Sequence, residues 1–403
     1  MKLRLNKTVA AAASSALLLM AVPAVGLATS ASAAKPNLVI GYEGPLSGPN
    51  SPQLGLNMWY GVTLAISQAN ALGTLPFTVS ALQLDDQGTG TLSPAQAQAA
   101  VANPDLVGVV GPAFSGATEA AEPYYSAAKI ATLSPSATAA ALAHGTKNNF
   151  MRDVAGDDVQ GAADANFLVN KHHYKKIYVA NDASFYGAGL AAVVAKQAKK
   201  DHAKVITNTF PQSSSCGGTA SVTQYSAAAT QIKASGATAL YYGGYYCDLG
   251  LLLGKLKSAG FKGAIMSGDG SLDPHLIKGT TPHSAANGVY LSVAGGGSAF
   301  LTGTLATQYA AQSGVTWSAA TATYAAQAYD ATNMIIAALQ KVYSAGTTTV
   351  SAMRPALVTE LHSMSYKGVT GPIKFQGNGD LTRSSVVDFS QIRKGKIVTI
   401  GHS

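Results

Sequence analysis

The hydrophobic positions of the chain fall into short runs of strand length that alternate with longer, alanine-rich segments of helical length. The strand-like runs lie at residues 38–42, 77–84, 106–110, 130–133, 149–152, 176–180, 204–209, 237–242 and 264–266. A helix is expected at 56–71, and Ser93-Pro94 is expected to begin another as its N-cap and first helical residue. Strands separated by helices predict an α/β fold of βαβ units, whose parallel sheets are buried on both faces.

There are more of these units than one compact open sheet usually contains, which predicts two lobes. The first break between lobes is expected at 151–156, after a short strand. Further on, residues 288–297 are typical of a strand followed by flexible glycine, and a long helix is expected at 322–342. The short strands near 372–375 and 396–400 are too few for a third domain. We expect these last segments to return and complete the two lobes.

The N-terminal segment combines the three parts of a secretory signal peptide. Three cations lie within the first seven residues, an apolar run follows, and Ala31-Ser32-Ala33 is a cleavage site of small residues. The apolar run is nearly long enough to be a membrane anchor instead, but Pro23 and the serine pair within it favour cleavage. We expect residues 1–33 to be removed, leaving an exported, soluble protein of the periplasm or the extracellular space.

The composition is globular, with 47% hydrophobic and 11% charged residues, and the formal net charge is +8. Removing the three cations of the signal leaves +5, a weakly basic balance. The cations are scattered apart from KHHYKK at 171–176, which we interpret as a solvated turn. We therefore expect no nucleic-acid partner, no metal and no cofactor.

The chain has two cysteines, Cys216 and Cys247. An exported protein meets an oxidising environment, where a disulfide between them is expected. Such a bond would close a loop of about 30 residues and add roughly 3 to 4 kcal/mol of stability in the chain-entropy model. Two free, buried thiols are the alternative.

Candidate chemistry is expected beyond the carboxyl ends of the strands, where ligands bind in open α/β sheets. The run at 106–110 is followed by GPAFSGATEA, in which Ser115 is placed to cap the next helix and Gly116 leaves the start of that helix accessible. Unpaired N–H groups at a helix start can receive a carboxylate. An N-cap that serves only its own helix is an equally good interpretation.

Two more turns of this kind come after later strands. Hydroxyl-bearing residues occupy SPSAT at 134–138, and Asp269 lies between glycines in SGDG at 267–270. An aspartate in that position is often only a turn former. Opposite an anion site, however, its carboxylate would complete a site for a zwitterion.

The stretch YYGGYYCDLG at 241–250 ends the run at 237–242 with two glycines. We expect Asp248 to begin the next helix, which places Tyr245 and Tyr246 at the mouth of the sheet. A tyrosine there offers apolar cover and a hydroxyl group. Core packing is the usual role of tyrosine, but the adjacent glycines favour a site.

At these segments the chain resembles the leucine/isoleucine/valine-binding proteins of amino-acid ABC transporters, which are type I periplasmic binding proteins. The motifs, specific only as an ordered set, are GPLSGP at 44–49, VVGPAFSGAT at 109–118, LSPSAT at 133–138, FYGAGL at 185–190, YYGGYY at 241–246 and TYAAQAYDA at 323–331. The resemblance covers nearly the whole mature chain and implies a two-lobed clamp linked by three crossings. The bounds that we predict are 34–154 with 292–368 for lobe 1, and 155–291 with 369–403 for lobe 2.

The resemblance also implies roles for individual residues. Ser115 and Thr138 would bind the ligand α-carboxylate, while Asp269 and the Ser136 carbonyl would bind the α-ammonium group. Tyr186 and Tyr245 would close over the ligand from the second lobe. The residues expected to line the side-chain pocket are Leu54, Ala113 and Phe114.

Two departures from the family pattern matter for the ligand. Asp269 stands where the family usually has a glutamate, so that its ammonium contact is expected to be displaced or water-bridged. Phe114 fills space usually left to a smaller residue, which puts a leucine-sized pocket in doubt.

The resemblance implies an extracytoplasmic solute-binding protein that captures a small, aliphatic amino acid, acts as a monomer and delivers the ligand to a membrane permease. One alternative is a secreted α/β hydrolase, but no G-x-S-x-G elbow surrounds Ser115 and no H-E-x-x-H motif is present. The other is the ligand-binding module of a sensor for amides or aromatic acids. We therefore predict a protein that binds rather than an enzyme.

Overall fold

Residues 37–152 build a five-stranded sheet in the computed structural model of the chain, which describes residues 34–48, 52–143, 149–212, 222–294, 303–316, 321–382 and 386–403. The strands are β1 (Asn37–Gly44), β2 (Thr78–Asp85), β3 (Leu106–Val110), β4 (Ala131–Ser134) and β5 (Phe150–Arg152), in the order β2-β1-β3-β4-β5. All their pairings are parallel. The helices between them are α1 (Pro52–Ala71), α2 (Ser93–Ala102) and α3 (Ser115–Ala127).

A second sheet has seven strands, in the order β14-β13-β10-β9-β8-β6-β7. Its parallel part comprises β6 (Lys176–Asn181), β7 (Lys204–Thr209), β8 (Ala239–Gly243), β9 (Ala264–Ser267) and β10 (Tyr290–Ala294). The helices are α4 (Asp157–Asn166), α5 (Phe185–Lys200), α6 (Val222–Ala234), α7 (Tyr246–Ser258) and α8 (His275–Gly279). Helices that cover both sheets leave their central strands buried, as β3 and β8 are along their whole length.

The rest of the chain returns first to one sheet and then to the other. The returning elements are α9 (Gly303–Ser313), α10 (Ala325–Ser344), α11 (Val350–Ser363), β11 (Tyr366–Gly368), β12 (Gly371–Ile373), β13 (Val387–Arg393) and β14 (Lys396–His402). Helix α10 lies along α1, and α11 covers β3 and β4. Strands β13 and β14 form an antiparallel hairpin at the edge of the seven-stranded sheet. The predicted return of these segments is confirmed; the predicted lobe bounds remain a prediction.

Most predicted strands are confirmed, and those at 106–110 and 204–209 match β3 and β7 residue for residue. Strand β13 was not predicted, and with β14 it makes the second sheet mixed rather than parallel throughout. The prediction that Ser93 is an N-cap is wrong. Helix α2 is preceded by Leu92, with no side-chain cap, because the Ser93 hydroxyl points at Glu43 and the Ala117 carbonyl instead.

Within the described part of the chain, no helix is both long enough and apolar enough to cross a membrane. The predicted signal peptide, residues 1–33, lies outside the described residues.

Candidate functional site

A cavity lies where strand ends of both sheets face each other. It encloses about 290 Å³ of space between protein atoms, part of it open to solvent. The residues that line it are Leu54, Met58, Phe114, Ser115, Ser136, Tyr186, Tyr245, Asp269, Gly270 and Tyr324. Seven of the nine predicted ligand-binding residues are therefore brought together, although they come from turns and helix starts that are far apart in the chain.

One wall of the cavity is the turn between β3 and α3. The turn approaches the backbone of β1 closely: Gly111 has φ +116°, and a Cβ there would lie 2.5 Å from the Glu43 carbonyl oxygen. Helix α3 begins at Ser115, and its N-cap residue is Phe114, which makes no side-chain cap. The interpretation of Ser115 as an N-cap is wrong, because its Oγ instead accepts a hydrogen bond from the Ala139 N–H at 3.1 Å.

The next turn on this wall is tied to the first by hydroxyl groups. Ser136 Oγ donates to the Ala113 carbonyl oxygen at 2.6 Å, and Ser134 Oγ donates to the Pro112 carbonyl oxygen at 2.7 Å. These bonds fix two loops that are 22 or more residues apart in the chain. Ser115 and Ser136 therefore line the same cavity.

Two predicted residues do not line the cavity. Ala113 and Thr138 are both fully buried behind its wall. Thr138 Oγ1 makes no hydrogen bond of ordinary geometry with the described residues. Thr138 lies next to Asp157, whose backbone N–H donates a hydrogen bond to the Thr138 carbonyl oxygen at 2.8 Å.

The opposite wall carries Asp269 in the turn after β9. The side chain is 4% exposed, and its Oδ1 accepts a hydrogen bond from the Tyr186 hydroxyl at 2.8 Å. The same hydroxyl accepts from the Gly270 N–H at 3.0 Å. Burial raises the pKa of Asp269, and the hydroxyls of Tyr186 and Tyr324 oppose that rise. Glycine is required at 270 because a Cβ there would lie 2.7 Å from the Tyr186 ring.

Tyr245 closes the cavity from the second sheet. Its ring stacks on Phe114 with centroids 4.7 Å apart and planes at 22°, and it lies 5.2 Å from the Tyr186 ring. The two glycines before Tyr245 allow the backbone to approach neighbouring groups closely. A Cβ at Gly243 would lie 2.3 Å from the Gly187 carbonyl oxygen, and one at Gly244 would lie 2.7 Å from the Asp182 carboxyl group.

The start of α7 differs from the prediction. The helix begins at Tyr246, with Tyr245 as its N-cap residue, so Asp248 lies within the first turn rather than at the start. There its carboxylate accepts a hydrogen bond from the Tyr225 hydroxyl. Tyr246 does not line the cavity.

Two further buried carboxyl groups lie behind Asp269, and sequence reasoning did not identify them. Burial raises the pKa of Asp157 well above its ordinary value, and the nearby Asp269 raises it further. Burial raises the pKa of Asp164 to about 8. Its Oδ2 accepts hydrogen bonds from Tyr241 at 2.7 Å and from Ser292 at 3.0 Å. These raised pKa values favour the neutral carboxyl groups, and a positively charged group bound beside Asp269 would favour the ionised form instead.

Three residues that line the cavity were not predicted from the sequence: Met58, Gly270 and Tyr324. Met58 lies one helical turn after Leu54 on the same face of α1, so the helical period could have indicated it. Tyr324 has φ +61° just before α10, which is uncommon for a residue other than glycine. The motif at 323–331 contained this tyrosine, but nothing in the local pattern predicts that backbone conformation. Asp157, the first residue of α4, could have been found by applying the strand-end reasoning to β5 as well.

Cys247, near the start of α7, is disulfide-bonded. Cys216, its predicted partner, lies outside the described residues.

Two α/β sheets with strand ends around one cavity form the two-lobed fold of type I periplasmic binding proteins, as predicted. The chain belongs to the periplasmic binding protein family, whose sequence profile matches residues 37–396. The resemblance that the motifs indicated is thereby confirmed. The members of this family bind solutes.

The similarity extends to characterised relatives. An amino acid binding protein of Pseudomonas aeruginosa is 30% identical over 64% of this chain and 67% of its own. The leucine-specific-binding protein of Salmonella typhimurium is 26% identical over 89% of this chain and 91% of its own. A branched-chain amino acid transporter substrate-binding protein from Streptococcus pneumoniae, solved in complex with isoleucine, superposes with a TM-score of 0.73. It covers 91% of this chain and 99% of its own at 23% identity, and so shows the shared fold.

Proposed function

We propose that this protein is an extracytoplasmic solute-binding protein that captures a small, aliphatic amino acid between its two lobes. The observation that carries the proposal is the pairing of Ser115, at the start of α3, with the carboxyl group of Asp269 in one cavity. A helix start favours an anion, and a carboxylate favours a cation. An α-amino acid carries its ammonium and carboxylate groups on the same carbon atom. It would therefore pair one charge with each wall.

The energetics of such a site are consistent with useful affinity. A buried charge without a partner is very costly, so both ends of the ligand need the partners that the two walls offer. Micromolar binding corresponds to roughly 8 kcal/mol. Hydrogen bonds to charged groups contribute roughly 1.5 to 3 kcal/mol each, so a few of them would supply this before the cost of closure is subtracted.

We assign the ligand carboxylate to Ser115, and the ammonium group to Asp269 and the Ser136 carbonyl. Tyr186 and Tyr245 close the site from the second lobe, while Leu54, Ala113 and Phe114 shape the pocket for the side chain. Asp157 and Asp164, whose pKa values are raised by burial, would ionise only when the charge of the ammonium group offsets the cost of burying theirs. Thr138 and Ala113, which are fully buried and do not line the cavity, act by shaping its wall.

Relatives named as binding leucine or serving branched-chain amino acid transport support the wider role. We propose that the chain is exported by a signal peptide at 1–33, works as a monomer and delivers its ligand to the membrane permease of an ABC transporter. The lobes would comprise 34–154 with 292–368 and 155–291 with 369–403. A disulfide between Cys216 and Cys247 would stabilise the second lobe.

Isothermal titration calorimetry with the twenty standard amino acids tests the proposal. We expect at least one aliphatic amino acid to bind, and Asp269→Asn to weaken that binding by about a hundredfold. The substitution preserves shape but removes the charge that pairs with the ammonium group, which is worth roughly 1.5 to 3 kcal/mol. Asp105→Asn, on an exposed loop, is the matched control and should leave affinity unchanged. Absence of binding by every amino acid, or an Asp269→Asn variant with unchanged affinity, would contradict the proposal.

A further inference from the structure

The cavity lining also includes apolar residues, which we assign to the ligand side chain. Leu54 and Met58 of α1 form the base of the cavity, and the rings of Phe114 and Tyr245 lie across it. The space of about 290 Å³ between protein atoms includes open solvent, so the room left for a ligand side chain is much smaller. The ligand side chain must therefore fit beside two rings that already touch.

Both rings are in contact with neighbouring groups. Phe114 is 7% exposed and stacks on Tyr245 with centroids 4.7 Å apart. Tyr245 in turn lies against Tyr186, whose hydroxyl is bound to Asp269 and to the Gly270 N–H. The stack is therefore braced on the second lobe by the group that we assign to the ammonium site.

The first lobe braces Phe114 from the other side. Its backbone carbonyl accepts hydrogen bonds from the N–H and the hydroxyl of Thr118. The neighbouring Ala113 carbonyl accepts the Ser136 hydroxyl, and the Ala113 N–H donates to the Glu43 carbonyl. The ring thus projects into the cavity from a backbone that is fixed at both sides.

We propose that Phe114 is the residue that limits the ligand to amino acids with short side chains, such as alanine, serine and threonine, in preference to leucine and isoleucine. This inference rests on the proposed function, because it concerns the side-chain end of the same site. A methyl or hydroxymethyl group demands the least additional space beside the stacked rings. A branched four-carbon side chain requires the rings to separate and loses the contact between the lobes.

The unmodified protein tests this directly. Calorimetric titration with alanine, serine, threonine, valine, leucine, isoleucine and phenylalanine should show alanine or a hydroxy amino acid binding at least about tenfold more tightly than leucine, as expected for a pocket that discriminates by methylene groups. Leucine or phenylalanine binding more tightly than alanine would overturn this inference and leave the proposed function intact. Failure of all amino acids to bind would overturn the proposed function itself.

The variants Phe114→Ala and Phe114→Leu then test whether the Phe114 ring sets this preference. Removing the ring should shift the ratio of leucine to alanine affinity by about tenfold or more towards leucine, with a smaller shift for Phe114→Leu. The control is Phe185→Ala, which removes an exposed ring at the start of α5 that does not line the cavity and should leave the ratio within about twofold. If Phe114→Ala does not fold, the affinities of Phe114→Leu and of the unmodified protein still test the inference. An unchanged ratio in a folded Phe114 variant would overturn the inference.

Discussion

At the scale of single residues, Glu43 illustrates how burial decides protonation. The Ser93 hydroxyl lies within hydrogen-bonding distance of both a Glu43 carboxyl oxygen and the Ala117 carbonyl, the latter at 2.9 Å. A hydroxyl has one proton, so if Ser93 donates to Ala117, the proton between Ser93 and Glu43 must belong to Glu43. Tyr125 donates to the other carboxyl oxygen. A neutral carboxylic acid therefore satisfies every group, and burial raises the pKa of Glu43 to about 8.

This protonation predicts a pH-dependent stability that Glu43→Gln should remove. A carboxyl group with a raised pKa in the folded state stabilises the fold fully below its unfolded value of 4.5, and this contribution is lost as the pH rises to about 8. Between these values the wild type should lose about 1.4 kcal/mol per pH unit relative to the variant, whose amide remains neutral. Urea unfolding of both proteins at pH 5 and pH 8 measures the difference. Parallel pH profiles would contradict the assignment, and the exposed Glu119→Gln is the control.

At the scale of elements, the contact between α1 and α10 positions the base of the cavity. Both helices are 20 residues long, and they meet closely at Gly61. A Cβ there would lie 2.3 Å from the Ala325 carbonyl oxygen and 3.2 Å from the Tyr329 backbone nitrogen. Because both neighbours are backbone atoms, the helices would have to separate to admit a methyl group.

Gly61→Ala should therefore destabilise the protein. Overpacking a close helix contact costs about 3 kcal/mol, which exceeds the roughly 1 kcal/mol that alanine gains over glycine within a helix. We expect a net loss of about 2 kcal/mol in the free energy of unfolding, measured by chemical denaturation. Gly377→Ala is the control, since a Cβ there has open space around it, and should change stability by less than about 0.5 kcal/mol. A Gly61→Ala protein as stable as the wild type would show that the helices adjust without cost.

At the scale of the whole molecule, the site lies between the two sheets, and each sheet supplies part of it. Ser115 and Ser136 come from the five-stranded sheet, while Tyr245 and Asp269 come from the seven-stranded sheet. A ligand bound between them adds contacts to both lobes. Its binding energy is therefore linked to the unfolding of the whole protein and not of one lobe.

Thermal unfolding with the tightest amino acid found by titration tests this linkage. At a ligand concentration of one hundred times Kd, the free energy of unfolding should rise by about 2.7 kcal/mol. We expect the entire calorimetric transition to move to higher temperature, and Asp269→Asn to show a smaller shift at the same concentration. Two transitions of which only one moves would place the ligand within a single lobe.

Periodicity and turn residues were sufficient to predict the α/β class and most strands, because buried parallel strands are short apolar runs whose signal is local. The same local reasoning identified the turns after β3, β4, β8 and β9 as candidate sites, since ligands in this architecture bind at strand ends. The order of the motifs then indicated the family. The N-cap assignments of Ser93 and Ser115 were wrong, because a hydroxyl near a helix start can cap that helix or bond a distant loop, and only the fold decides which.

Other features depend on segments that are far apart in the sequence. The stack of Phe114 on Tyr245, the burial of Asp157 beside Asp269 and the backbone conformation of Tyr324 arise only when both sheets and α10 are assembled. Local composition thus established what each segment becomes and which turns carry chemistry. The tertiary structure alone decided which turns share a cavity, because contacts and desolvation across that cavity belong to no single segment.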